Sequence, residues 1–404
     1  MKLRRAAIVS PLRTPVGKFG GGLSALNAGQ LGATILKALV ERSGIDPERV
    51  DDVVFGHGYP SGEAPAIGRW SWLAAGLPQT IPGFQLDRRC GSGLQAVIEA
   101  AMMVQTGAAD VVVAGGAESM SNVEHYTSAL RSGARMGNVE LHDRLTRARL
   151  MSQPIERYGV ITGMIETAEN VAKDHGIARE ASDAYAVRSH HRAAAAWREG
   201  RFDAEVVPVT VPQRRGDPVV FAQDEGIRPD ASLESLSALR PIEGGVVTAG
   251  NASQQNDAAA ACLVVAEDRL EALGLQPSGW FVGWAAAGCD PSRMGIGPIP
   301  AVARLFQRTG LDWKDIDLLE INEAFACQVL ALLKLWGWSE NDERHEILNV
   351  NGSGISLGHP IGVTGARIMA TLLHELGRRK ARYGLEAMCI GGGQGLAAIF
   401  ERAG

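Results

Sequence analysis

The chain has 404 residues, room for two or three domains of ordinary size. Hydrophobic residues make up 46% and charged residues 21%, a globular mix that excludes disorder over most of the length. Forty Lys and Arg against 45 Asp and Glu leave a net charge of −5. That offers no broad cationic field for nucleic acid or an anionic membrane, so an anionic ligand must be held locally.

Met1-Lys2-Leu3-Arg4-Arg5 has the basic start of an export signal. Ala6 to Ser10, cut off by Pro11, is too short for the apolar part of one and reads as a first strand. The expected compartment is the cytosol, and no run reaches the roughly 18 apolar residues of a membrane span. Leu31 to Val40 reads as an amphipathic helix and Val50 to Gly56 as a second strand. Val111 to Ala114, ending in Gly115-Gly116, has the unbroken apolar character of a central strand buried on both faces. Strands separated by helices predict an α/β unit with a mostly parallel sheet.

From Ser121 to Gly250 the chain turns Arg-rich and polar. It contains a helix from Ser182 to Glu199, read as capped by Ser182 and stopped at Gly200. This stretch has the texture of an insertion or lid. Strand character returns at Ala260 to Ala266, and a second α/β half begins near Gln276. There Ile316–Ile321 reads as a strand, Ala324–Leu335 and Thr364–Leu376 as helices, and Ala387–Ile390 and Leu396–Phe400 as closing strands around a Gly-rich turn. The expected division is a first half of residues 1–120 plus 251–274, an inserted region of 121–250, and a second half of 275–404. The two halves are alike in kind, which suggests a structural duplication.

The five cysteines are odd in number and form no C-x-x-C pair, so neither a disulfide framework nor a zinc site is expected. Cys90 lies in Arg89-Cys90-Gly91-Ser92-Gly93, just ahead of apolar residues at helical spacing. At such a loop-to-helix junction unpaired N–H groups and the helix dipole lower a thiol pKa; otherwise Cys90 is a small buried hydrophobe beside a turn. His359 sits in a Gly-rich segment before a helix, where Pro360 keeps it extended and an imidazole could be aimed at a thiol. Cys389 ends a strand at Gly391-Gly392-Gly393, and Asn322 follows another strand as either a helix cap or a functional amide. Gly393-Gln394-Gly395-Leu396-Ala397-Ala398 imitates a nucleotide fingerprint, but a strand follows it and no βαβ unit fits. His57, His190 and His191 lack metal-ligand spacing and read as structural or surface residues.

Together these segments resemble the thiolase family, whose members form and cleave 3-ketoacyl-CoA thioesters. The resemblance spans essentially the whole chain. It begins at Arg13-Thr14-Pro15-Val16-Gly17 and takes in Cys90 to Gly93, Ala114 to Ser121 and Thr248 to Ser253. It continues through Asn322 to Phe325 and Gly358-His359-Pro360 and ends at Cys389 to Gly393. It implies two similar five-stranded α/β halves in a five-layer αβαβα arrangement with an inserted loop domain, assembled as a homodimer or homotetramer. It implies acetyl-CoA, free CoA and 3-ketoacyl-CoA as partners, with no metal and no permanently bound cofactor.

By the same resemblance Cys90 is the acylated nucleophile activated by His359, and Cys389 is the acid/base at the Cα of the second acyl-CoA. Asn322 holds a water that forms one oxyanion hole with His359, and the N–H groups of Cys90 and Gly391 form the other. Arg228, Ser235, Ala249 and Ser253 match CoA-contact positions, with Met294 and Phe325 near the acyl and pantetheine channel. Several positions depart from the family pattern: Asp87, Gln254-Gln255, Ala258, Gly163 where short-chain members carry a His, and Ile165. They remove no catalytic group and bear on acyl-chain preference. Acetyl-CoA C-acetyltransferase is the expected activity, with degradation of longer, branched or aromatic-derived 3-ketoacyl-CoA as the alternative. A decarboxylating ketoacyl synthase would lack Cys389, and a non-catalytic acyl-CoA carrier on the same scaffold would tend to lose the catalytic side chains.

Overall fold

Alternation along the strands builds the layers. In Asn256–Ala266, Ala258, Ala260, Cys262 and Val264 enter one core while Ala259, Ala261, Leu263 and Val265 enter another. The structure, a computed structural model, describes residues 3–339 and 341–404; Met1 and Lys2 of the basic start lie outside the described residues. The first half supplies β1 (Ala6–Arg13), β2 (Asp52–Gly56), β3 (Phe84–Leu86), β4 (Val111–Ser119) and β5 (Asn256–Ala266). The second supplies β6 (Gly279–Gly288), β7 (Leu318–Ile321), β8 (Tyr383–Ile390) and β9 (Gln394–Arg402). With the short strand Gly17–Lys18, which pairs with β5, they form one 10-stranded sheet.

Strand order shows the duplication that the sequence suggested. The first half runs β1-β5-β4-β2-β3 and the second β6-β9-β8-β7. A parallel bridge between Leu319 and Leu348 stands in the second half where β3 stands in the first. Directions also match, with two antiparallel pairs followed by parallel ones in each half. The expected mostly parallel sheet is therefore mixed. β8 and β9 are joined by a tight glycine turn, and strands so joined must run antiparallel. β5, returning after the insertion, takes the same place and direction in the first half.

Helices α1 (Ala28–Ser43) and α2 (Ile67–Ala74) cover the outer face of the first half. α3 (Ser92–Thr106) lies on its inner face. In the insertion α4 (Met164–His175) and α5 (Arg179–Arg198) accompany two small two-stranded sheets. α6 (Pro298–Thr309) and α7 (Ala326–Leu335) cover the outer face of the second half, and α8 (Thr364–Arg379) packs against α3 between the halves. Five layers result. Ser182 is not the cap of α5: the helix starts a turn earlier, and the Ser182 hydroxyl donates back to Ala178 O at 3.0 Å. Among the described residues no helix is long and apolar enough to cross a membrane.

α3 and α8 cross closely near their N-termini. A Cβ on Gly93 would stand 2.9 Å from both Ala366 N and Val363 O, and one on Gly365 would stand 2.9 Å from Leu94 Cα. Only glycine permits that approach. Cys90 lies just before α3 and His359 just before α8, so the crossing draws together matched positions of the two halves.

Candidate active site

Cys90 sits in a single tight turn, Arg89–Gly91, that runs straight into α3. Arg89 adopts φ 50°, left-handed backbone that costs an L-residue about 1–2 kcal/mol. Asp87 Oδ1 accepts the Arg89 N–H at 2.6 Å, and Ser92 Oγ accepts the Arg88 N–H at 2.8 Å; both hold the turn. The expectation of a depressed thiol pKa is corrected, because burial pushes the Cys90 thiol up. The N–H groups of Gly391 and of Cys90 itself hydrogen-bond to the sulfur and pull the other way, as do the Arg89 and Arg149 charges. Desolvation wins over the helix end, so the proton needs an acceptor.

His359, which lines the same cavity as Cys90, is the neighbouring candidate. Burial, with Arg367 and Arg149 adding to it, drives its pKa down to about 3, so the imidazole is neutral. The backbone N–H of His359 donates to Asn256 Oδ1 at 2.8 Å, which pins the loop. Thr364 Oγ1 donates to Pro360 O at 2.8 Å and lies 2.6 Å from His359 Nδ1. With its one proton committed, that oxygen accepts from Nδ1–H, which leaves Nε2 as the free base.

Asn322 is held at the end of β7 by its N–H to Ala387 O at 3.0 Å, and its Nδ2 is 3.4 Å from His359 Nε2. It is not a helix cap; Phe325 occupies that position for α7. Asn322 Oδ1 is buried without a donor. Cys389 is fully buried in β8, its pKa raised well above the ordinary range by burial, then by Cys90 and Cys289. The two sulfurs of Cys90 and Cys389 are thus near neighbours. Gly392 and Gly393, at φ 84° and 80°, make the turn that presents Gly391 N–H to Cys90.

Above these groups opens a cavity of about 610 Å³. Cys90, His359, Arg228, Ala249, Ser253, Met294 and Phe325 line it, while Cys389, Asn322 and Gly391 are buried outside its lining. Ser235 stands apart, its hydroxyl engaged in a capping box with Ser232. Of the departing residues, Gly163, Ile165, Gln254 and Gln255 lie on the wall. Sequence reasoning missed Thr364, Asn256 and Arg149. A hydroxyl five residues after a candidate base was a usable signal for Thr364. Arg149 had none, being one arginine among several in a basic stretch, and only the helix Arg144–Leu150 brings it and Thr146 to the cavity.

Comparison with known proteins agrees with the fold. The thiolase N-terminal domain model matches residues 6–268 and the thiolase C-terminal domain model residues 275–402. The acetyl-CoA acetyltransferase of Chromobacterium violaceum is 46% identical over 98% of this chain and 99% of that protein. That of Escherichia coli K12 is 44% identical over 99% of this chain and 100% of that protein. Among solved structures, the Bacillus anthracis acetyl-CoA acetyltransferase superposes with a TM-score of 0.94 at 41% identity. Human mitochondrial 3-ketoacyl-CoA thiolase gives 0.91 at 37%, and both comparisons cover 100% of each chain. The chain belongs to the thiolase family. It is an acyltransferase with thiolase activity.

Proposed function

We propose that this chain is an acetyl-CoA C-acetyltransferase, interconverting two acetyl-CoA with acetoacetyl-CoA and CoA through an acetyl-Cys90 enzyme. The observation that carries the reading is the convergence on the Cys90 sulfur of the Gly391 and Cys90 N–H groups, with Cys389 as neighbour. His359 Nε2 takes the thiol proton as sulfur attacks the thioester carbonyl, and CoA leaves as that proton is returned to it. The two N–H groups hold the tetrahedral oxyanion, each such donor being worth about 10²–10³ in rate.

In condensation neutral His359 takes up the proton of Cys389, and the resulting thiolate removes the Cα proton of the second acetyl-CoA. The enolate oxygen is held by His359 and a water on Asn322, whose orphaned Oδ1 suits a donor of that kind. The new C–C bond forms at the acyl carbon as its bond to Cys90 breaks, and the departing sulfur takes the proton held by His359. Exposed Arg228 and Lys18 stand on the wall where CoA phosphates enter. The reading includes a homo-oligomer: β3 pairs on one side only, and its other edge is open to a second copy.

Labelled acetyl-CoA should leave one acetyl group on the Cys90 peptide. Cys389→Ala should still acylate and exchange label with CoA while losing condensation. Thiolysis of acetoacetyl-CoA that survives Cys90→Ala would overturn the reading.

A further inference from the structure

Arg149 is a cation inside the cavity that the reaction described above does not use. It lies on the wall with Cys90 and His359 and acts electrostatically on both. Arg228 is different: it is exposed, and the group its charge perturbs is His190, outside the lining. The two arginines therefore divide the cavity, Arg228 toward the solvent side where CoA enters and Arg149 toward the reacting thiol.

Arg149 is partly buried, and among the described residues no carboxylate forms an ion pair with it. Its partners are neutral. The Tyr59 hydroxyl oxygen accepts from it, and Gln255, with its amide turned so that the oxygen faces the guanidinium, accepts from Nη1 at 3.1 Å and Nη2 at 2.9 Å. Gln255 is one of the residues that depart from the family pattern, so this contact belongs to this chain. The one carboxylate on the described wall, Glu243, is exposed and grouped with Glu166 and Glu169. The cavity wall also carries the apolar Met120 and Ile361, and Gly163 leaves open space where a side chain would narrow it. An unpaired cation in such surroundings is costly unless an anion joins it. In thiolysis the group left on Cys90 is the acyl group from the 3-keto carbon onward, held in the same cavity whose wall carries Arg149.

We propose that Arg149 binds a carboxylate at the far end of the acyl chain, so that the enzyme cleaves 3-ketoacyl-CoA thioesters ending in a carboxylate to acetyl-CoA and a shorter carboxylate-ended acyl-CoA. The proposal rests on the thiolase reading above and extends its substrate class. The bond broken is C2–C3. The released acetyl carbanion receives a proton from Cys389, and the acyl group passes from Cys90 to the sulfur of free CoA, whose proton restores the enzyme.

The test is thiolysis of a chain-length series of 3-ketoacyl-CoA substrates ending in carboxylate, each against the carboxamide of equal length. At the best length the parent enzyme should favour carboxylate by about 10–100-fold in kcat/KM, the range of a charge-assisted hydrogen bond. Arg149→Gln should bring that ratio close to one, and Arg149→Lys should keep part of it. The ratio cancels any common effect on Cys90. No preference at any length in the parent enzyme overturns the proposal without need of a variant. A ratio unchanged in Arg149→Gln, or an equal loss on both substrates, also overturns it and assigns Arg149 to CoA or to the thiol. Acetoacetyl-CoA thiolysis by the same preparation reports separately on the thiolase reading.

Discussion

The hydroxyl of Thr364 has one proton, and Pro360 O takes it, so its oxygen can only accept from His359. A single side chain thereby selects the tautomer of a base that burial already keeps neutral. Thr364→Val, nearly the same in shape, removes that selection. It should lower kcat with little change in KM, by less than the about 10²–10⁴-fold expected for His359→Ala, while Thr364→Ser stays near the parent. Steady-state kinetics on acetoacetyl-CoA decides it, and equal damage from Ser and Val would mean a packing role. At this scale the sequence was partly legible. Cys90, His359 and Cys389 announce themselves by glycine frames and by Pro360, which are local features. The state of the thiol was not legible, because helix-end stabilisation can be read from neighbours in sequence, whereas the burial that outweighs it comes from Leu396, Ile390 and other residues far along the chain.

The contact of α3 with α8 brings Cys90 and His359 to the wall of one cavity. Gly365→Ala puts a methyl group against the backbone of Leu94 with no flexible side chain to yield. It should cost about 1–3 kcal/mol of stability. It should also cut kcat by about tenfold or more, since small displacements of reacting groups are expensive. Gly377→Ala, near the other end of the same helix, is the control. A Cβ there meets nothing within 4 Å, so this change should be neutral or slightly stabilising with unaltered kcat. Denaturant melts and initial rates of both variants test the contrast. Helices were readable from apolar spacing, as at Ile368, Leu372 and Leu376, but their starts were not. Ser182 has the chemistry of a cap, yet the chain from Arg179 is already helical, and the hydroxyl donates back to Ala178 O instead.

Across the whole molecule the inner faces of the two halves also enclose charge. Glu320 on β7 and Glu386 on β8 face each other in register, both buried, and burial pushes both carboxyls well up. Arg367 on α8 is the chief electrostatic partner of Glu320, whereas Glu386 feels Glu320 more than Arg367 and finds no donor for either oxygen. The fold therefore holds a proton that the unfolded chain releases above about pH 4.5, so stability declines as pH rises from there through the folded-state value. Glu386→Gln should melt close to the parent near pH 4.5 and about 2–4 °C above it at pH 8, in calorimetry across that range. A gap that shrinks with rising pH would contradict the assignment. The α/β class and the repeated halves could be read from strand spacing, but the direction of β5 and β9 could not, since pairing partners lie far apart in sequence. One consequence of the duplication reaches further. The thiol is carried by one copy of the fold and the imidazole by the other, and the two halves of the sheet meet at the pairs Ala7–Trp280 and Ile8–Gly279. A slight yielding of that clasp would silence turnover while every strand and helix stayed intact, so selection for speed in this molecule is also selection for the grip between its halves.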